Sequence, residues 1–360
     1  MKRAYNFNAG PAALPKAVLQ EAQEHLLNFN DTGMSLMELS HRSKEYEAVH
    51  NEAKDLLTSL LSIPDNYEIL FLQGGASLQF TMVPMNLLTE GKTAYYSLTG
   101  VWAEKALKEA AKIGETGIIN SSKETNYTYI PESSFEELPS DAAYLHITSN
   151  NTIYGTQWST FPTNVSVPLI ADMSSDILSK PFDVSQFGMI YAGAQKNLGP
   201  SGVTVVIIRK DLIVNNPALP TMLNYETHSK NNSLFNTPPT LGIYLLSLVL
   251  KWAKEQGGID KIAEINEYKA SLLYNTIDES NGFYKGHAEQ NSRSRMNVTF
   301  TLQTEELTKD FLLQAKAEGF VGLNGHRSIG GCRASIYNAV PVESVEELAL
   351  FMKKFQASNQ

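Results

Sequence analysis

"YAGAQKNLGPSGVTVVIIRK", residues 191–210, places one lysine, Lys196, between two apolar runs and against a Gly-Pro-Ser-Gly turn. The run ahead of it, "FGMIYAGA", is short and apolar, and "VTVVIIR" behind it is rich in β-branched residues. Runs that are apolar throughout, rather than at every second position, predict strands of a sheet covered on both faces. Lysine is costly to strip of water. At the mouth of such a sheet it is either an accident of the loop or the reason the loop exists.

Working outward, short apolar strand candidates recur at 68–72, 93–98, 143–148, 167–171, 187–192 and 203–208, with helical stretches such as "VWAEKALKEAAKIG" between several of them. This alternation predicts an α/β domain with a mostly parallel sheet. "PKAVLQEAQEHLLN" predicts a helix with Pro15 at its first position. Tyr46, Val49, Ala53, Leu56, Leu57 and Leu60 form one stripe of a helix over 43–61. Further helices are expected at about 239–256 and 259–277. The pattern then changes: "NVTFTL" and "CRASIYNAV" read as strands, alternating with helices near 305–318 and 344–356, and Ser344 with Glu347 forms a capping-box pattern expected to open the last helix. The expected organisation is a large domain over 16–258 and a smaller α+β domain built from 1–15 and 259–360.

The chain has 360 residues, a formal net charge of −9 and a pI near 5.4. That acidity argues against nucleic acid or an anionic membrane as the main partner, though a small anionic substrate remains compatible with a local basic pocket. "IYLLSLVL", 243–250, is far too short to span a bilayer. The start, "MKRAYNFNAG", has no apolar core of a secretory signal, so a cytoplasmic location is expected. A single cysteine, Cys332, excludes an intrachain disulfide and a cysteine-rich metal site. The seven histidines include no metalloprotease-type pair, so no metal is expected.

"TEGKT", 89–93, ends like a phosphate-binding loop, but Asn86 stands where its first glycine belongs and "AYYSL" after it reads as a strand. "QGGASLQF", 73–80, follows the strand "EILFL" and opens an apolar helical run. Small residues there can expose backbone N–H groups to a phosphate, or simply make a tight turn. "VPLIADMSSD" puts Asp172 just past a strand, 24 residues before Lys196. Ligands of open α/β sheets gather outside such strand ends. Asp172 alone would read as a solvated cap. Paired with Lys196, it could hold the ring nitrogen of a pyridine cofactor while the lysine forms a Schiff base with its aldehyde. Trp102 begins a helix after a strand, where its ring could stack on that cofactor or pack in the core.

Three of the seven arginines lie in compact motifs: "SHRS", with His41 and Arg42, and "GHRSIGGCRAS", with His326, Arg327 and Arg333. Planar guanidinium groups bind carboxylate and phosphate with two parallel hydrogen bonds. An isolated arginine is usually a surface ion pair, whereas two His-Arg pairs and an arginine among glycines suggest an anion-binding set.

Together, "NFNAGPAALP", "ELSHRSKEYEAVH", "GGASLQF", "GVWAEKA", "DMSSDILS", "AGAQKNLGPSG", "FNTPPT" and "GHRSIGGCRASIYNA" resemble, in order and spacing, the phosphoserine aminotransferases. These are class V, pyridoxal-phosphate-dependent enzymes of the aspartate-aminotransferase fold type I. The resemblance implies that Lys196 carries the cofactor as a Schiff base, that Asp172 faces the pyridine nitrogen, Trp102 the ring and Thr152 the ring hydroxyl. It places Ala76, Ser77 and Gln195 around the cofactor phosphate, completed by Asn236 and Thr237 from a neighbouring subunit, so a homodimer with shared sites is implied. Arg333 would bind the substrate α-carboxylate. His41 and Arg42 of the neighbouring subunit, with His326 and Arg327, would hold the substrate phosphate. Some members carry arginine where this chain has Ser77, so one positive contact is absent here. The implied reaction moves the amino group between L-glutamate and 3-phosphohydroxypyruvate in serine biosynthesis. A second substrate, 4-phosphohydroxy-L-threonine in pyridoxine biosynthesis, is left open by the sequence. The alternatives are a cysteine desulfurase or small-substrate aminotransferase of the same fold, a non-catalytic pyridoxal-phosphate-binding regulator, and a dinucleotide oxidoreductase. The last two lack, respectively, a basic DNA-binding segment and the glycine fingerprint.

Overall fold

The computed structural model describes residues 3–132, 135 and 138–360; residues 1 and 2, assigned above to the smaller domain, lie outside the described residues. Seven strands form the main sheet, in the spatial order Tyr67–Leu72, Thr204–Arg209, Met189–Gly193, Leu169–Asp172, Ala142–Thr148, Thr93–Leu98 and Thr116–Ser121. Thr204–Arg209 runs antiparallel to both its neighbours, and every other pairing is parallel. All six expected strands are present. Their unbroken apolar character has a direct cause: alternate residues enter two different cores. Leu145, Ile147, Ala171, Ile190, Val205 and Ile207 face one cluster, whereas Tyr144, Ile170, Met189, Tyr191, Val206 and Ile208 face the other.

The helix expected over 43–61 spans Lys44–Leu61. Ser43 caps it by accepting a hydrogen bond from Tyr46 N, and Glu45 and Glu47 lie in the positive first turn. Its stripe is buried, with Leu60 half-buried. The first helix is shorter than expected, Lys16–Glu24, and Pro15 stands just before it rather than in its first turn. Helix Gly75–Leu87 follows strand Tyr67–Leu72 through Gly74 and Gly75, both at positive φ (86° and 65°), where a Cβ on Gly74 would lie 2.6 Å from the Leu78 side chain.

A second, three-stranded antiparallel sheet orders Tyr284–Gly286, Asn297–Leu302 and Cys332–Ser335. It packs with helices Gly258–Asp278, Glu305–Ala317 and Val342–Asn359 around Phe300, Phe311, Leu348 and Phe355. Phe7 joins this core, and Tyr5–Asn6 pairs parallel with Phe320–Val321, so the start of the chain is built into the C-terminal unit.

Two further expectations are corrected. The strand in "CRASIYNAV" ends at Ser335, and residues 336–340 turn away. The last helix begins at Val342, directly after Pro341, whose φ of −61° already suits a helix start. Ser344 lies buried in its first turn, with its N–H on Pro341 O, instead of capping it. Among the described residues no helix is long and apolar enough to cross a membrane.

Candidate active site

The carboxyl ends of strands Ala142–Thr148 and Leu169–Asp172, the turn after Met189–Gly193 and the start of helix Gly75–Leu87 converge on a cavity of about 420 Å³. Ala76, Ser77, Trp102, Thr152, Asp172, Gln195, Lys196, His326 and Arg333, all singled out in the sequence, line it. Parallel pairing explains the convergence: Thr148 pairs with Asp172, and Asp172 with Tyr191, so neighbouring strands end at one level.

Lys196 sits in a tight turn in which Leu198 N and Gly199 N both donate to Ala194 O. Its neighbour Asn197 donates to Ile177 O (2.6 Å) and accepts from Asn338 N (3.0 Å), tying this turn to the C-terminal unit. The Lys196 amine donates to Thr152 Oγ1 (2.8 Å) and lies 5.6 Å from the centre of the Trp102 ring. Burial, only partly offset by the Asp172 charge and reinforced by Arg333, brings its pKa down to about 8. Asp172, at a buried strand end, accepts from Ser174 N (2.9 Å). Burial raises its pKa, while Ser174 and the Lys196 charge oppose that rise, so a further cation against it would favour its ionised form. Arg333 reaches across from the small sheet and donates to Thr152 O (3.2 Å).

The cavity fits pyridoxal phosphate by its own chemistry. Trp102 Nε1, Thr148 Oγ1 and Arg333 Nε are buried polar atoms without a partner among the described residues, and all three residues line it. The N-terminus of helix Gly75–Leu87 has no side-chain cap, so its first N–H groups are free to meet a phosphate. A Cβ at Gly10 would lie 3.4 Å from Lys196 Cγ, so glycine preserves room beside the lysine.

His41, Arg42, Asn236 and Thr237 do not line this cavity. Arg327 is exposed and also lies outside it. The sequence reading missed Asn150, Ser174 and Ser175 in the lining, and Asp176 behind it. Asp176 is buried and hydrogen-bonded by Ser149 Oγ and by Gln157 Nε2 (3.0 Å). Position just past a strand end, the signal that exposed Asp172, would have found Asn150. Cys332 is fully buried and its thiol is pushed up to about 12, the opposite of the reactive thiolate a desulfurase requires.

A lysine, a carboxylate, an indole and an arginine gathered at parallel strand ends define a class. The class-V aminotransferase profile matches residues 4–348, and the chain belongs to that family. It is 70% identical over 357 residues to the phosphoserine aminotransferase of Geobacillus kaustophilus (strain HTA426), covering 99% of both chains. Among solved structures, it superimposes with a TM-score of 0.98 on the phosphoserine aminotransferase from Bacillus circulans subsp. alkalophilus (59% identity, all of both chains). It matches equally well, at 63% identity over 99% of this chain and all of the other, a phosphoserine aminotransferase structure concerned with radiation damage of its Schiff base. The chain is a pyridoxal-phosphate-dependent transaminase.

The depressed Lys196 pKa makes a prediction. At pH 7 roughly a tenth of an amine with a pKa near 8 is neutral, against fewer than about one in a thousand for an ordinary lysine. Capture of pyridoxal phosphate by the cofactor-free protein should quicken with pH and level off above about 8. A rate that climbs unbroken to pH 10 would show an ordinary lysine.

Proposed function

We propose that the chain moves the amino group of L-glutamate onto 3-phosphohydroxypyruvate, releasing 2-oxoglutarate and O-phospho-L-serine, a step of serine biosynthesis. The observation that carries this reading is one cavity holding Lys196, Asp172 and Arg333 with His326 at its rim, in a chain whose full-length relatives are phosphoserine aminotransferases.

Bound pyridoxal phosphate supplies an electron sink conjugated to the substrate Cα. The chain's own residues do the rest. Lys196 would hold the cofactor, and its neutral amine would take the Cα proton and return it. Asp172, ionised, keeps the proton on the ring nitrogen. Trp102 offers a flat apolar face, and Thr152 orients Lys196 and the ring hydroxyl. Ala76, Ser77 and Gln195 bind the cofactor phosphate. Arg333 binds the α-carboxylate that amino-acid and keto-acid substrates share. The same arms suit 4-phosphohydroxy-L-threonine, which we include as a candidate second substrate.

His41, Arg42, Asn236 and Thr237 then serve the site of a neighbouring copy, and the working form is a homodimer. Exposed apolar side chains flank both segments and support this: Leu26, Leu27, Met34 and Met37 precede His41, and Phe235 precedes Asn236. His326, Arg327 and the partner copy's counterparts of His41 and Arg42 hold the substrate phosphate. A cytoplasmic location and the division into 16–258 against 1–15 with 259–360 complete the reading. The division is supported by the apolar core that gathers Phe7 with residues 270–355.

The experiment is turnover with L-glutamate and either 3-phosphohydroxypyruvate or hydroxypyruvate. The phosphorylated keto acid should have a kcat/KM at least about a hundredfold higher, the scale of a lost charge-assisted contact or two. Equal values for the two would overturn the substrate assignment.

A further inference from the structure

We propose that Ile329 is a positioning residue for substrate specificity: it latches the 325–331 turn against the helix that carries Trp102 and so aims His326 into the cavity. The inference rests on the reading of His326 as a contact for the substrate phosphate.

The turn is closed on itself. Ile329 N and Gly330 N both donate to His326 O (2.9 and 2.8 Å), and Gly325 N donates to Gly331 O (3.0 Å). A Cβ on Gly325 would lie 1.9 Å from Gly330 O, so no other residue permits this closure. The imidazole is fixed as well. Ser328 N donates to His326 Nδ1 (3.2 Å), which makes that nitrogen the acceptor and leaves Nε2 to carry the proton. The Ser328 hydroxyl lies 2.7 Å from the same nitrogen. Burial and the charges of Arg333, Arg327 and Lys105 push His326 below the ordinary imidazole range. With this tautomer the neutral ring still offers an N–H donor to an anion.

What holds the turn in place is apolar. Ile329 packs, with Val101 and Trp102, on a small buried cluster of Tyr127, Ile153 and Tyr154. Trp102 links that cluster to one core of the main sheet; within it the Tyr127 and Tyr154 rings lie 4.8 Å apart, and Tyr127 donates to Glu104 (2.5 Å), which also pairs with Lys123 (2.7 Å). Ile153 and Trp102 reach the catalytic cavity as well. The Ile329 side chain is therefore the apolar fastening between the substrate-facing turn and the wall of the cavity.

The test measures KM and kcat of the holoenzyme for 3-phosphohydroxypyruvate and for L-glutamate in Ile329→Ala, Ile329→Val and His326→Asn. Ile329→Ala should raise KM for the phosphorylated keto acid about tenfold, the scale of a small misplacement of a binding group, with kcat, KM for glutamate and cofactor affinity within about twofold. Ile329→Val, which keeps most of the contact, should restore the wild-type value. If Ile329→Ala leaves both KM values unchanged, or raises both alike, while His326→Asn raises only the phosphorylated one, the latch is refuted and the reading of His326 stands. If His326→Asn itself leaves KM for the phosphorylated substrate unchanged, that reading falls and takes the latch with it.

Discussion

Replacing Lys196 by alanine is expected to lower kcat by about 10⁴-fold or more, because one amine both holds the cofactor and transfers the Cα proton. The fold should survive. The amine makes one side-chain hydrogen bond, to Thr152, and the protein bears a desolvation cost to bury it, visible in the pKa of about 8. Removing it relieves that cost, so thermal unfolding should shift by no more than a few degrees, the range of about 1 kcal/mol. The linkage has a definite sign: a lysine with a lowered folded-state pKa binds fewer protons folded than unfolded between about 8 and its ordinary value. In the cofactor-free protein, stability should therefore rise with pH across that window in the wild type, and rise less in Lys196→Ala. Near-normal turnover in the variant would refute the assignment outright.

The second large effect is at Arg333. Its alanine variant should raise KM for glutamate and for 3-phosphohydroxypyruvate alike by about a hundredfold or more, since both present the same α-carboxylate to the same guanidinium. Arg333 is half-buried on strand Cys332–Ser335 and opposite Thr299, where burial lowers its pKa; the site thus holds a cation at a cost that a substrate carboxylate would offset. It also fastens Thr152 O, so a smaller loss of kcat should accompany the change in KM. Steady-state kinetics with each substrate varied separately give the answer. Weakening confined to the phosphorylated substrate would contradict the role and move Arg333 to the phosphate site.

The strands of the main sheet were legible because burial on both faces leaves no ambiguity of period, as at Val205 to Ile208. Thr116–Ser121 was not legible. It is one of the two edge strands and, unlike Tyr67–Leu72 at the other edge, only partly buried, with Gly117 and Asn120 breaking the apolar run and Ile118 exposed. The short strand Tyr284–Gly286 offers three residues and no period at all. The last helix began earlier than its Ser344–Glu347 pattern suggested, because a proline at the entrance supplied the start that a side-chain cap would otherwise have to make.

Within the site, Lys196, Asp172, Arg333 and Trp102 were legible in combination: a lysine between apolar strands, an aspartate at the end of a nearby strand, an arginine among glycines and an indole at the start of a helix. The residues that hold them did not. Asn197, Asn338, Ser149 and Asp176 act through hydrogen bonds between segments far apart in the chain, and nothing in local composition signals such a bond. Ile329 is invisible for the opposite reason. An isoleucine in a glycine-rich loop reads as an incidental apolar residue until the cluster it fills is seen.

The most direct test of the central claim is the visible absorption of the purified protein with pyridoxal phosphate, followed as L-glutamate is added to one sample and O-phospho-L-serine to another. The account predicts a visible band that both amino acids bleach, with O-phospho-L-serine far more effective than plain serine. A band bleached only by unphosphorylated amino acids would leave Lys196 in place and contradict the substrate. No band at all would contradict Lys196 as the residue that holds the cofactor, and with it the whole site.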